Sequence, residues 1–483
     1  MALTLSAARL ADLLGPAAGD GPAYRDLADR IRLLVVDGRV LDGSRLPSER
    51  ELATVLGVSR TTTTRVYAEL REGGLLNSRQ GSGSVVQVPF SASSASGLIV
   101  TPDDADTIAL TYAAPVGPHG LGRAFEAAVK KLPGLLATTG YLPDGLPVLR
   151  ELLAQRYTDR GLRTDPEQIV VTSGAMGAIS LLARTLLSPG QRVIVEGASY
   201  PHGHDAFADA GGRLSALPVG DTPWEPAALA ATLRSSAHRA AYFIPEFHNP
   251  TGAIMSDSER SAWAHELRRH DVIPVVDESL RDVNLDGVEL PPSYASYDSR
   301  ALIVGSSSKS FWAGLRVGWI RAPRALVMPL VQARMMDDLG SSAFDQLVLA
   351  ELLTDGGQTA AAGRATLRAA RDHLLSELAR TLPGIDAPCP SGGLSLWVTL
   401  PGRLSSQLTA AAARNGLLLT PGPRFYARAS AAGERHLRLP YTQTHATLSE
   451  AVSRLRRAYD EVIGASNASH PTPPPTETLE LIA

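Results

Sequence analysis

Five short runs of mainly β-branched and apolar residues recur between positions 168 and 309: QIVVTSG, QRVIVEG, AAYFIPEF, DVIPVVDES and ALIVGSSSK. Long helix-like stretches separate them. Strands that read as continuous apolar runs are buried on both faces, and such strands spaced by helices build a largely parallel sheet. The alternation predicts an α/β domain over residues 108–463. At 483 residues the chain is too long for one ordinary core, and its 44% hydrophobic content is enough for more than one.

Ahead of this region lies a different pattern, LPSERELATVLGVSRTTTTRVYAELREGGLLNSRQGSGSVV, residues 46–86. Ser48 and Glu51 form a capping box that starts a helix, and Leu52, Val55 and Leu56 give it an apolar stripe. Gly57 ends it. Ser59 caps a second helix that runs to about Glu72, where Gly73 and Gly74 stop it. Two short helices joined by a tight glycine-containing turn make a helix-turn-helix. The second helix opens with Arg60, Thr61 and Thr62, side chains suited to phosphates and base edges. LLNSRQGSGSVV then reads as strand, glycine-rich tip and strand, a wing with Arg79 near its tip. Small helical domains that never meet DNA share this packing. Local charge does not decide the matter: residues 21–86 hold ten arginines against eight acidic residues.

The winged-helix domain is expected over 20–86, a linker over 87–107 (QVPFSASSASGLIVTPDDADT) and a disordered Pro- and Thr-rich tail over 464–483. Residues 1–19 read as a short amphipathic or loosely ordered lead. A net charge of −3 excludes a polybasic protein. The single cysteine, Cys389, excludes an intrachain disulfide and suits a cytoplasmic location. No apolar run reaches 18 residues, the N-terminus lacks a signal-peptide pattern, and no metal site is expected.

Of the 46 basic residues only Lys130, Lys131 and Lys309 are lysines. Arginine stays protonated and cannot form an imine, whereas a lysine amine of lowered pKa can. Lys309 is either a chance surface lysine or a covalent anchor. Its neighbours favour the second reading. Ser306, Ser307, Ser308 and Arg316 suit the phosphate of a phosphorylated aldehyde. Thr172-Ser173-Gly174-Ala175 stands where a strand meets a helix, Asn249 precedes Pro250 at another strand end, and Asp277 ends a third. Parallel sheets collect ligands at such ends, and a carboxylate there can hold a pyridinium proton.

Two resemblances follow. LPSERELA–GVSR resembles the winged helix of the GntR family, which implies double-stranded DNA as partner and contacts from Arg50, Ser59, Arg60, Thr61, Thr62, Arg79, Gly81 and Gly83. TSGA, NPTG, D-E and SSSK-x6-R resemble the fold-type I aminotransferases, over about residues 108–460. That resemblance implies pyridoxal 5′-phosphate (PLP) as cofactor. Lys309 would bond its aldehyde, Asp277 pair with its ring nitrogen and Asn249 bond its hydroxyl. Tyr200 would stack on the ring. Ser173, Gly174, Ala175, Ser306, Ser308 and Arg316 would hold the phosphate, with Tyr141 reaching the phosphate of a neighbouring subunit and Arg438 clamping a ligand carboxylate. The sequence departs from the pattern at Ser279 and Leu280, where the family places a tyrosine, and at Ala313, where it places a proline. Head, linker and large domain together resemble the MocR subfamily of transcription regulators. This implies a homodimer that senses an amino acid, an amine or PLP and controls operator binding. The alternative is a working aminotransferase that carries a DNA-binding head.

Overall fold

The computed structural model describes residues 4–15, 23–36, 40, 44–72, 75–79, 83–86, 107–218, 222–427 and 430–468. It divides into two compact units. One takes residues 1–111, 402–420 and 451–483, and the other takes 112–401 and 421–450. This differs from a single body over 108–463: two late segments of the expected α/β domain pack with the N-terminal head.

In the first unit, helices α1 (Ala7–Leu14), α2 (Ala23–Val36), α3 (Glu49–Leu56) and α4 (Arg60–Glu72) stand with the wing strands β1 (Leu76–Arg79) and β2 (Gly83–Val86). The Ser48–Glu51 capping box is present, and Gly57 ends α3 at φ 66°, the left-handed conformation that glycine adopts without strain. The Thr63 hydroxyl donates across to the Glu49 carbonyl at 2.9 Å and so ties α4 to α3. Leu27, Ile31, Leu52, Val66, Tyr67 and Leu70 form the core.

Of the two readings of the N-terminal lead, amphipathic or loosely ordered, residues Ala7–Leu14 take the first. Ser6 caps α1, Leu10 is fully buried in the head core, and the Leu5 N–H donates to the Arg45 carbonyl at 2.9 Å. An isolated eight-residue helix is marginal in water, and tertiary packing supplies what propensity lacks. The wing tip, the linker over 87–106 and the tail beyond 468 lie outside the described residues. The last helix, His445–Ala468, runs past the boundary expected at 464.

Strand β3 (Ile108–Leu110) pairs in parallel with Leu417–Leu419 in the same unit. Helix Ser405–Arg414 packs on α2: Gln407 Nε2 donates to Asp26 Oδ1 at 2.9 Å, and Arg414 meets Asp29 at 2.9 Å and Glu461 at 3.4 Å.

The second unit is built on a seven-stranded sheet. Its strands are β4 (Ile169–Thr172), β5 (Arg192–Val195), β6 (Arg213–Ala216), β7 (Ala240–Phe243), β8 (Ile273–Asp277), β9 (Leu302–Ser306) and β10 (Gly318–Arg321). They lie in the order β4-β10-β9-β8-β7-β5-β6. Only β10 is antiparallel to its neighbours. Helices α5 (Leu121–Leu136), α6 (Pro147–Asp159), α7 (Gly174–Leu186) and α8 (Pro201–Asp209) are among those that cover it. All five expected strands belong to this sheet, and every residue of β4, β7 and β9 is buried. Because β4, β7, β8 and β9 run the same way, their carboxyl ends share one edge, the place where α/β folds bind ligands. β11 (Ser395–Thr399) pairs antiparallel with the strand His436–Pro440, which carries Arg438.

Candidate functional site

The sheet edge gathers residues that lie far apart in sequence. Asp277 is the last residue of β8 and is buried. Its Oδ1 accepts the Ser279 N–H at 2.9 Å and its Oδ2 accepts the Tyr242 hydroxyl at 3.1 Å. Burial raises the Asp277 pKa above the ordinary carboxylate value, while the bonds from Ser279 and Tyr242 and the charge of Lys309 oppose that rise. Lys309 sits three residues beyond β9, and its Nζ donates to the Ala113 carbonyl at 2.8 Å. Burial, and next the guanidinium of Arg438, push its amine down to about 8; Asp277 pulls the other way and Arg316 adds to the fall. A lysine in this condition holds a far larger neutral fraction at neutral pH than an ordinary lysine, about a tenth of it at pH 7, and the neutral amine is what nucleophilic attack requires.

Arg316 adopts the left-handed region at φ 51°, and its Nη2 donates to the Ser173 carbonyl at 3.2 Å. Gly174, the first residue of α7, has φ +78°, and a Cβ there would lie 3.0 Å from the guanidinium. Glycine therefore permits the close approach of Arg316 to the helix N-terminus, where backbone N–H groups and a guanidinium can meet one anion. Ala175 follows Gly174 in the same first turn. The Ser173 hydroxyl lies 3.1 Å from both Asp338 Oδ2 and Ser341 Oγ. Ser306 ends β9 and its Oγ accepts the Ser308 N–H at 3.2 Å. Among the described residues, the buried hydroxyls of Ser308 and Ser310 have no hydrogen-bond partner.

Arg438 is 6% exposed, lies 4.8 Å over the Phe425 ring and directs Nη1 at Asn249 Oδ1, 3.5 Å away. Burial lowers its pKa to about 10. Tyr200 precedes α8; burial and the nearby Asp277 charge raise its phenol to about 12. Below these groups the buried Glu196 accepts from Ser199 Oγ and Trp224 Nε1, both at 2.6 Å, and stands 3.2 Å from His248 Nε2. It thereby anchors the residues just before Tyr200 and Asn249. Tyr141 is 69% exposed on this chain.

Two features escaped the sequence reading. The phenol beside Asp277 belongs to Tyr242 on β7, and Ala113 supplies a carbonyl to Lys309. At the two positions where the family places a tyrosine, Ser279 gives its backbone N–H to Asp277 Oδ1 and Leu280 is buried and apolar.

Residues 123–455 match the family Aminotransferase class I and II, and residues 23–86 match Bacterial regulatory proteins, gntR family. The chain is a MocR-type member of the class I and II aminotransferase family. It is 27% identical over 482 residues to the HTH-type transcriptional regulator TauR of Rhodobacter capsulatus, covering 91% of this chain and 97% of TauR. It is 30% identical over 330 residues to the 2-aminoadipate transaminase of Thermus thermophilus, covering 66% and 80%. The alpha-aminoadipate aminotransferase LysN of Thermus thermophilus, solved with N-(5′-phosphopyridoxyl)-L-leucine, superposes with a TM-score of 0.68 at 27% identity, covering 74% of this chain and 93% of LysN.

PLP is the cofactor of this MocR-type fold. The described residues fit it: an amine of lowered pKa, a buried carboxylate, the Arg316–Gly174 cradle and the buried hydroxyls of Ser308 and Ser310. When bound, PLP supplies an aldehyde for an amine and a ring that draws off electrons.

At the head, Arg50, Ser59, Arg60 and Thr61 are exposed and Thr62 is half-buried. Ser59 Oγ caps α4 by accepting the Thr62 N–H at 3.0 Å. Arg65 lies 5.1 Å over the Tyr24 ring. Gly83 starts β2 at φ +76°, where a Cβ would stand 2.7 Å from Arg45 Nε, so the exposed Arg45 lies along the wing root. Arg79 belongs to β1, but its side chain, like Gly81, lies outside the described residues. No helix among the described residues is long and apolar enough to cross a membrane.

Proposed function

We propose that this protein is an operator-binding regulator whose Lys309 site holds PLP and responds to an amino acid, an amine or PLP itself. One observation carries the reading: a lysine with its amine near 8 stands among Asp277, Arg316 and Arg438 in a chain that also presents a winged helix. In this reading Lys309 bonds the aldehyde, Asp277 keeps the ring nitrogen protonated, and Asn249 holds the ring hydroxyl. Tyr200 covers the ring. Ser173, Gly174, Ala175, Ser306, Ser308 and Arg316 hold the phosphate. Arg438 takes a carboxylate of the effector, and Tyr141 completes the site of a second copy in a homodimer. Arg50, Ser59, Arg60, Thr61, Thr62, Arg79, Gly81 and Gly83 meet double-stranded DNA. The domains are a head over 20–86, a linker over 87–107, an aminotransferase-like region over 108–463 and a tail over 464–483. The location is cytoplasmic.

Control of the head needs an effector that prefers one arrangement of it. Fluorescence anisotropy on DNA from upstream of this gene, with and without PLP and a panel of amino acids, tests this. The expected result is a change in operator affinity that Lys309→Ala removes. An affinity that no cofactor or amino acid alters sinks the sensing role.

A second reading is an aminotransferase that carries a DNA-binding head, favoured by the likeness to the 2-aminoadipate transaminase. Steady conversion of an amino donor and a keto acid, without any shift of upstream DNA, would establish it. The lack of a phenol at 279 or 280 argues for slow turnover.

A further inference from the structure

Family residues account for Asp277 but not for what holds it. A carboxylate at the end of a buried strand can rotate about its Cα–Cβ and Cβ–Cγ bonds, and burial favours its neutral form. Either change would weaken its grip on a ring N–H. In this chain both oxygens are tied: Oδ1 by the Ser279 N–H at 2.9 Å and Oδ2 by the Tyr242 hydroxyl at 3.1 Å. An ionised carboxylate has about four acceptor directions, so two donors fix its plane and leave directions free for a further N–H.

Tyr242 is itself immobilised. It is 1% exposed in the middle of the sheet, and its ring meets Phe207 at 5.4 Å between centroids. Gly203 in α8 lies directly against it: a Cβ at 203 would stand 2.6 Å from Cε1 and 2.7 Å from the hydroxyl oxygen. The helix that begins just after Tyr200 therefore also sets where the Tyr242 hydroxyl points. Burial and the nearby charges of Asp277 and Glu196 raise the Tyr242 phenol well above its ordinary value, so it remains a donor at every working pH.

We propose that Tyr242 is a positioning residue for the cofactor, its phenol holding Asp277 ionised and oriented towards the ring nitrogen, with Gly203 as the space that admits it. The inference rests on the reading that Asp277 pairs with that nitrogen. The other titratable groups that face Asp277 are Lys309 and Tyr200.

The test uses pyridoxamine 5′-phosphate, which has no aldehyde and so reports the non-covalent contacts without Lys309 chemistry. Its dissociation constant is measured by fluorescence against pH for the full chain and for Tyr242→Phe, Gly203→Ala and Asp277→Asn. Tyr242→Phe keeps the ring and its packing, so a purely structural role predicts no change. The expected result is about tenfold weaker binding at neutral pH, the worth of one hydrogen bond to a charged group. The acid side of the binding profile should also move to higher pH, because Asp277 loses a donor that favours its ionised form. Gly203→Ala keeps the phenol but displaces it, and should weaken binding in the same direction. Binding by Tyr242→Phe within twofold of the parent at every pH overturns the inference. Should Tyr242→Phe fail to fold, Gly203→Ala decides, with parent-like binding as the overturning result. Asp277→Asn separates the two levels: if it too binds like the parent, the pairing of Asp277 with the ring nitrogen fails; if it binds weakly while Tyr242→Phe does not, only the role of Tyr242 fails.

Discussion

The head and the Lys309 site use cations in opposite ways. At the start of α4, Arg60 stands in water beside Thr61, and Arg50 is likewise exposed. At the sheet edge, Arg438 is buried against Phe425, and Lys309 is pushed down to about 8. An exposed cation keeps its hydration and its charge, so it suits a polyanion met over a broad surface and released by salt. A buried cation has lost water and needs a defined counter-charge, so it suits one small anion in one pose. In the proposed reading the same residue types would serve recognition of a polymer in one unit and of a small anion in the other, and burial would make the difference.

Four substitutions or conditions sharpen that contrast. The largest effect is expected for Lys309→Ala, which removes the attacking amine. The visible absorbance band of PLP on the purified protein should vanish, while binding to upstream DNA at saturating protein persists. Next is Leu10→Ala. Leu10 is fully buried in the head core, and truncation should cost about 2–5 kcal/mol, read as a lowered melting temperature with PLP binding intact. A melting curve like the parent's would return α1 to the status of a loose lead.

Third is pH. The Lys309 amine is lowered, so its neutral fraction rises as pH increases through about 8 and is largely lost well below it. The rate of PLP capture, followed by absorbance in stopped flow, should climb several-fold between pH 7 and pH 9 and then level off; a flat profile would contradict an attacking amine with this value. The smallest effect is expected for Arg60→Ala. Loss of one phosphate contact should weaken operator binding modestly and reduce the slope of log affinity against log salt by about one. An unchanged slope would remove Arg60 from the DNA face.

Legibility in the sequence followed burial. The strands under the site read clearly because β4, β7 and β9 are mostly apolar and buried at every residue. Lys309 stood out in the sequence as one of three lysines, and Asp277 as the end of a strand-like run. Tyr242 was not: inside AAYFIPEF a tyrosine reads as one more buried strand residue, and only the pairing of β7 with β8 brings it to Asp277. The sequence left the lead between amphipathic and loosely ordered because it lacks the capping box that marks α3, and the burial of Leu10 in the head core decides between them. The grouping of 402–420 with the head depends on pairs such as Gln407 with Asp26, separated by hundreds of residues, for which no local pattern exists.

The charge at the sheet edge has a last consequence. Lys309 has the positive charges of Arg316 and Arg438 near it and one opposing carboxylate, Asp277. Arg438 is buried there, Lys309 is half-buried and Arg316 is exposed, and a phosphate dianion would meet favourable charge beside them. Loading and folding are then linked: a ligand that binds only the folded chain raises its stability in proportion to the logarithm of its concentration. The protein should therefore melt higher in PLP than in buffer, and inorganic phosphate at millimolar levels should recover part of that gain. In a cell, the lifetime of this regulator would then follow the supply of its cofactor, making its abundance a second readout of the same small molecule.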